Sequence, residues 1–472
     1  MKQKILITTV YLPNKKYRYD YLNSNTKNRF FKFFLPRIES AGLRFIKQNI
    51  PEIEILEYPT WQEFQQKIAE KQWDIIGFSF FMNETYEILE MVKYARSQGI
   101  PEIWAGNYGA LTKEISTYFD RVFTGYSEIE IAKLLGKRLD HEEIIHPPII
   151  APTKLHFNIH LNCMGVLYTN RGCNNHCDFC QTPPFCPRPY KISLENIEKV
   201  LNYYKSIGIS EIVILDENFG CFKKHAEEVI NLLHKLGFYW FAMTRADLLN
   251  KRFNDWSDKR MTGAFIGIES FNQQTLNKMN KKETTNDIIS VAKKMKDNNK
   301  FIIGYYMLGF ENDTKESIKR DLKKLASLKL DITQLCVVTP FPRTPQWDYL
   351  ESKYGIIDRN WHHYNAKHLV WNHPNISPEE MRFLLEYGFH LCYPQTRIIE
   401  TSLGFIKRYI QYNGYTKGIG YTLKHFIHSN TFNYFPQEIR LIQTQTITKS
   451  KKSDIKKTKE ISHLEKAYLK KT

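Results

Sequence analysis

Short apolar runs alternate with amphipathic stretches twice along this chain, and that alternation leaves few folds open to it. In the first 140 residues the runs fall at 5–10, 53–58, 74–79, 102–105 and 121–124. Helical patterns lie between them, at 62–71, around Ile88, Leu89, Val92 and Ala95, and at 128–135. A strand followed by a helix of this length returns to a parallel neighbour, so the spacing predicts a parallel sheet covered on both faces. Small turn residues stand just beyond the strand ends: Ser79, Gly106 with Gly109, and Gly125-Tyr126-Ser127-Glu128. Open α/β sheets take their ligands at such ends. The expectation is a flavodoxin- or Rossmann-like α/β domain over residues 1–145.

Residues 141–161 contain Pro147-Pro148 and Pro152 and read as irregular, with a linker over 146–158. A second series follows, with strands at 165–169, 211–215, 239–243, 264–269, 302–308 and 332–338 and helices such as 193–207 and 226–236. Six strands so spaced predict a partial (β/α)6 TIM-like barrel over 159–365. Residues 366–448 turn helical and aromatic-rich. Ser377-Pro378-Glu379-Glu380 there supplies an N-cap, a proline at the first helical position and first-turn acids for a helix at 377–393.

Charge narrows the function classes. The formal net charge is +17, yet part of the excess sits in the tail 449–472, with Lys451-Lys452, Lys456-Lys457 and Lys470-Lys471. A solvated tail explains that better than a nucleic-acid surface, so no nucleic-acid partner is expected. No apolar run is long enough for a transmembrane segment, and the N-terminus lacks a signal-peptide layout. The expected localisation is cytoplasmic.

The cysteines point to chemistry. None of the eight precedes Cys163, and three fall in Arg171-Gly172-Cys173-Asn174-Asn175-His176-Cys177-Asp178-Phe179-Cys180, directly after the first strand of the second series. Spread disulfide partners would look different. Three thiolates on a short loop hold three irons of a cubane and leave a fourth open to an incoming ligand. Zinc would want a second ligand pair, which is missing, and His362-His363 have no convincing partners as metal ligands. Three unrelated buried thiols are the bland alternative.

The spacing CxxxCxxC, with an aromatic residue before the last cysteine, resembles the signature of the radical S-adenosylmethionine (SAM) superfamily. Asp216-Glu217-Asn218-Phe219 resembles its acidic strand end, Gly267-Ile268-Glu269-Ser270 its "GIES" segment, and Leu308-Gly309-Phe310-Glu311 its glycine-containing fifth turn. Pro340-Phe341-Pro342-Arg343-Thr344-Pro345 resembles its loop after strand six, and the likeness covers roughly 159–365. It implies a [4Fe-4S] cluster on Cys173, Cys177 and Cys180, with Phe179, Asp216, Asn218, Gly267, Glu269 and Ser270 around S-adenosyl-L-methionine. Arg171 and Arg245 are candidates to neutralise an anionic cluster or substrate. Cys163, Cys186 and Cys221 read as packing residues.

The N-terminal domain resembles the cobalamin-binding domain of one subgroup of that superfamily, with Ser79, Gly106, Gly109 and Gly125 at the matching strand ends. Residues 1–140 contain no histidine, so an axial-ligand DxHxxG motif is impossible there. The resemblance implies reductive cleavage of SAM and cobalamin-dependent methyl transfer to an unactivated carbon. It also implies a reductant such as flavodoxin or ferredoxin and a small-molecule, lipid or peptide substrate. A cobalamin-independent radical rearrangement, cyclisation or dehydrogenation is the alternative, and a non-catalytic iron–sulfur protein a further one. Methylthiotransferase and auxiliary-cluster branches need extra cysteines that the chain does not carry.

Overall fold

The computed structural model describes residues 3–12, 39–154 and 160–413. The basic tail at 449–472 and the part of the expected helical region from 414 to 448 lie outside them. Described residues up to Phe405 belong to one compact unit; of a second, which continues from Ile406, the helix through Asn413 is described.

The first sheet contains β1 (Ile5–Thr9), β2 (Glu54–Leu56), β3 (Ile75–Ser79), β4 (Glu102–Gly106) and β5 (Arg121–Val122). They are all parallel, in the order β2-β1-β3-β4-β5. That is the doubly wound order, with the strand sequence reversing at β1/β3. Every residue of β1 is buried, as a strand covered on both faces requires. Helix Ala41–Asn49 and helix Glu128–Leu134 cover one face through Leu43, Ile46 and Ile131. Helix Trp61–Ala69 begins at a capping box in which Thr60 and Glu63 each bond the other's backbone N–H.

The second sheet has seven strands. In chain order they are β6 (Ile149–Lys154), β7 (His160–Leu167), then, after a two-stranded ribbon, β10 (Glu211–Ile214), β11 (Tyr239–Thr244), β12 (Met261–Glu269), β13 (Phe301–Leu308) and β14 (Ile332–Val337). The ribbon pairs β8 (Asn170–Arg171) with β9 (Tyr190–Lys191) and brackets the three-cysteine loop. From β7 to β14 the strands run parallel in sequence order, which makes a half-barrel.

Two sequence expectations change. The stretch read as linker contains β6, which pairs antiparallel with β7 from Ile149↔Val166 onward. Pro152 disguised it, but a proline is tolerated on an edge strand such as this one. The strand expected at 165–169 ends at Leu167, because Asn170 and Arg171 have left to build the ribbon. The helix expected at 377–393 forms over Pro378–Cys392 with the Ser377 cap and Glu380 capping box in place.

Candidate active site at the mouth of the half-barrel

The loop 172–181 leaves β8 and crosses the C-terminal mouth of the half-barrel, tied to several of its sectors. The Asn174 amide donates to the Cys221 carbonyl at 3.4 Å, beyond β10. The Asp178 N–H donates to the Met279 carbonyl at 3.1 Å, and the Asn280 amide to the His176 carbonyl at 2.7 Å, beyond β12. The Gln346 N–H donates to the Asp178 carbonyl at 3.0 Å and the Gln181 amide to the Pro342 carbonyl at 3.1 Å, beyond β14. The segments at 216–219, 267–270 and 340–345 thus meet the cysteine loop on one rim.

Cys173, Cys177 and Cys180 are all half-buried and free of disulfides. The Asn175 N–H approaches the Cys173 sulfur at 3.4 Å, and the Thr182 N–H the Cys180 sulfur at 3.4 Å. Burial raises the Cys180 thiol above its ordinary value, with the Thr182 hydrogen bonds pulling against it. Burial pushes the Cys177 thiol up to about 11, against the pull of the nearby Lys281 ammonium. Phe179 is half-buried against the core.

Asp216 and Glu217 point into the loop's base. The Asp216 carboxylate, fully buried, accepts the Thr169 N–H at 2.6 Å, the Thr169 hydroxyl, and the Asn170 N–H at 3.3 Å. Glu217 accepts the Gly172 N–H at 3.1 Å and the hydroxyl of Tyr126; burial raises its pKa to about 7. Asn218 differs: buried at 4% exposure, its side-chain oxygen has no hydrogen-bond partner among the described residues. A buried acceptor left unpaired is costly, and this one stands on the rim.

Across the mouth, Glu269 ends β12 in the left-handed region, with φ of 58°. Its carboxylate meets Lys281 at 3.1 Å, and Lys281 reaches Glu283 at 3.3 Å; these side chains are 11%, 8% and 0% exposed. Burial opposes the charge on Lys281, but Glu269 and Glu283 outweigh it and hold the ammonium above its ordinary value. Gly267 makes the room: a Cβ there would lie 2.2 Å from Glu269 Oε1 and 2.7 Å from Lys281 Nζ. Arg245 binds Asp247 at 2.9 Å and donates to the Lys282 carbonyl at 2.9 Å. Ser270 accepts the Asn272 N–H at 3.0 Å. Sequence reasoning missed Lys281 and Glu283, since a lysine among many near Asn280 carries no signal of its burial.

Facing this mouth are the strand ends of the first sheet. Ser79 and Gly106 are register partners, and a Cβ on Gly106 would meet nothing within 4 Å. Gly109 and Gly125 are packed instead, their hypothetical Cβ atoms falling 2.4 Å from the Phe80 ring and 2.7 Å from the Phe185 carbonyl. Tyr108 stacks on Phe185 at 4.3 Å and Tyr126 meets it edge-on at 5.2 Å. Arg171, 2% exposed, lies under the rings of Phe45 at 3.8 Å and Tyr126 at 4.3 Å. His362 pairs with Glu87, in the helix that follows β3, at 3.1 Å, and His363 with Asp358 at 2.5 Å.

Comparison with known proteins adds to this geometry. A model of the radical SAM superfamily matches residues 167–325. This segment is a radical SAM domain. An uncharacterized methyltransferase of Pyrococcus horikoshii is 26% identical over 240 residues, which are 50% of this chain and 52% of that protein. The match therefore spans about half the length of that relative. Bacteriochlorophyllide d C-8(2)-methyltransferase of Chlorobaculum tepidum is 27% identical over 350 residues, 66% of this chain and 75% of its own. Among solved structures, the radical SAM methyltransferase TsrM of Kitasatospora setae, with cobalamin and a [4Fe-4S] cluster bound, superposes with a TM-score of 0.58 at 14% identity. The superposition covers 75% of each chain. The cobalamin-dependent radical enzyme OxsB gives 0.56 at 14% identity over 91% of this chain and 75% of its own. The radical SAM domain and the sheet before it thus share the fold of those enzymes.

Proposed function

We propose that the chain is an enzyme that holds a [4Fe-4S] cluster on Cys173, Cys177 and Cys180 and SAM beside it. We also propose that it transfers a methyl group to an unactivated carbon with cobalamin at the ends of β3 and β4. The observation that carries the reading is a rim where three disulfide-free cysteines, an unpaired buried Asn218 oxygen and the Glu269–Lys281–Glu283 array meet around one mouth.

The residues suit these groups. Among the described residues, no three His, Cys, Asp or Glu side chains converge closely enough for a single ion. A cubane asks otherwise, because each thiolate takes a separate iron and the sulfurs stand further apart. The open space over Gly106, beside Ser79, suits the nucleotide tail of a corrinoid. When bound, the cluster supplies the electron that cleaves SAM, and the corrinoid carries the methyl group. The chain's own part is positional. Asn218 offers an acceptor to an ammonium, Glu269 to an ammonium or ribose hydroxyls, and Lys281 offsets buried negative charge. The loop's ties across the mouth keep the thiols in register and limit water there. A one-electron donor such as flavodoxin or ferredoxin is the expected partner.

A second reading keeps the radical chemistry and makes the first sheet a brace. The Tyr108–Phe185–Tyr126 packing favours it, because it ties the segments beyond β4 and β5 to the short helix Thr182–Phe185 that follows the cysteine loop. Protein produced with cobalamin supplied separates the two: stoichiometric corrinoid supports methyl transfer, and none supports the brace. Anaerobic incubation with reductant and SAM tests the shared core. Formation of 5′-deoxyadenosine or S-adenosylhomocysteine is expected, and a reconstituted protein without iron, or with a signal indifferent to SAM, sinks the proposal.

A further inference from the structure

Charges around the cysteine loop are sorted by depth. Asp216, Glu269 and Glu283 are buried, as is Lys281, whereas Lys191, Lys223, Lys224 and Lys282 are exposed. Two carbonyls gather three of the exposed lysines beside the start of the loop. The Thr169 carbonyl accepts the Ile192 N–H at 2.9 Å and the His225 ring N–H at 3.0 Å, so the residues just before them, Lys191 and Lys224, stand close together. The Cys221 carbonyl holds the Asn174 amide at 3.4 Å, and Lys223 opens the helix Lys223–Leu236 two residues later. On the other flank the Asn280 amide holds the His176 carbonyl at 2.7 Å, two residues before Lys282. Between the flanks Asn174 and His176 are themselves exposed, next to the half-buried Cys173 and Cys177. The loop therefore meets solvent in a basic setting.

None of these four lysines forms an ion pair among the described residues. Acids in the adjoining helices leave them free. Glu195 is held by Lys199 at 2.8 Å and Glu227 by Arg252 at 2.6 Å, while the half-buried Glu228 pairs with neither Lys223 nor Lys224. The acids at 140–143 lie on the other side of the ribbon. Tyr190 turns toward Tyr126 and His141, so Lys191, next in the strand, turns the opposite way. Exposed ammoniums without counter-charges attract an acidic partner and orient its approach. Such steering raises association rates by about 10–10³ and fades as salt is added. A cationic donor gains nothing from it.

We infer that the surface bearing Lys191, Lys223 and Lys224, with Lys282 across the loop, is the docking face for an acidic one-electron carrier protein of the flavodoxin or ferredoxin class. One electron leaves the carrier, which is oxidised, and enters the cluster, which is reduced; no proton or group moves. The inference rests on the proposed cluster site, and its test lets the two fail separately. Anaerobically reconstituted full-length protein is mixed rapidly with flavodoxin hydroquinone, and the flavodoxin semiquinone is followed as it appears. Reduced methyl viologen, a small cation, is the second reductant on the same samples, followed by loss of its blue colour. The triple variant Lys191→Glu, Lys223→Glu, Lys224→Glu should accept electrons from flavodoxin about tenfold more slowly at low salt, with most of the difference gone at high salt. Its iron content, its melting curve and its rate with methyl viologen should hold. Lys235→Glu, the same charge change in the last turn of the same helix, should keep the wild-type rate. An unchanged rate in the triple variant, or an equal loss in Lys235→Glu, overturns the inference. So does a wild type that methyl viologen reduces and neither flavodoxin nor ferredoxin can. An RNA oligonucleotide released by the triple variant while reduction is unchanged would assign the lysines to nucleic acid and overturn it too. Protein that holds no iron sinks the cluster reading, and the docking face with it.

Discussion

The two sheets of this chain follow one rule of α/β architecture and end in rims of opposite character. Beyond the half-barrel's strands stand thiols, buried carboxylates and a buried lysine. Beyond the first sheet stand small residues and packed rings. A rim that works on electrons and ions needs charge held rigidly in low dielectric, which costs stability unless each charge is paired. A rim that accommodates a bulky, largely neutral group needs room and flat surfaces. The difference teaches that fold alone does not assign a role to either rim; the side chains at the strand ends do.

Substitutions that spare one rim and disable the other sharpen this contrast. The largest effect is expected from Cys173→Ala, Cys177→Ala or Cys180→Ala: iron content and SAM cleavage fall to background, while the circular dichroism of the fold remains. Lys281→Met comes next. It strands Glu269 without its cation and leaves Glu283 with Arg245 alone, 3.9 Å away, and a loss of about 3–5 kcal/mol in denaturant unfolding is expected. Unchanged stability there would break the claim that the half-barrel rim depends on paired charge.

Tyr126→Phe touches both rims at once, since its hydroxyl donates to Glu217, which also holds the Gly172 N–H. Losing a hydrogen bond to a carboxylate should cost about 1.5–3 kcal/mol and alter the EPR line shape of the cluster. Gly109→Ala tests the first rim alone. Its Cβ would press on the Phe80 ring and carbonyl, for about 1–3 kcal/mol of overpacking with iron content unchanged.

The smallest effect is a slope with pH. Burial raises Glu211, the first residue of β10 at the far end of the half-barrel, to about 7. A carboxyl whose folded pKa exceeds its unfolded value contributes stability that is full below the unfolded pKa and is lost as pH rises through 7. Glu211→Gln should therefore flatten the fall in melting temperature between pH 5 and pH 8, and an unchanged slope would show another group to be responsible.

Much of this was legible in residues alone. Strands β1, β3, β10 and β13 carry dense runs of Ile, Val and Leu or aromatic residues, and helix Pro378–Cys392 announces its start at Ser377. The cysteine loop was legible because three thiols at such spacing have few other uses. What stayed hidden depends on tertiary contact. Strand β6 contains a proline and forms only by borrowing the edge of β7. Lys281 and Glu283 become a buried pair only once helix Gln273–Lys278 brings the chain back over Gly267. That the buried Asn218 oxygen is left unsatisfied, while Asp216 two residues earlier is fully bonded, is likewise decided by packing.

A half-barrel has no final strand pairing with its first, so nothing in its own ladder fixes how far its two flanks spread. The ten-residue arch from Gly172 to Gln181, stitched to carbonyls and amides beyond β10, β12 and β14, takes over that duty. It behaves as a keystone: whatever stiffens the arch, an inorganic core above all, sets the span of the whole vault beneath it.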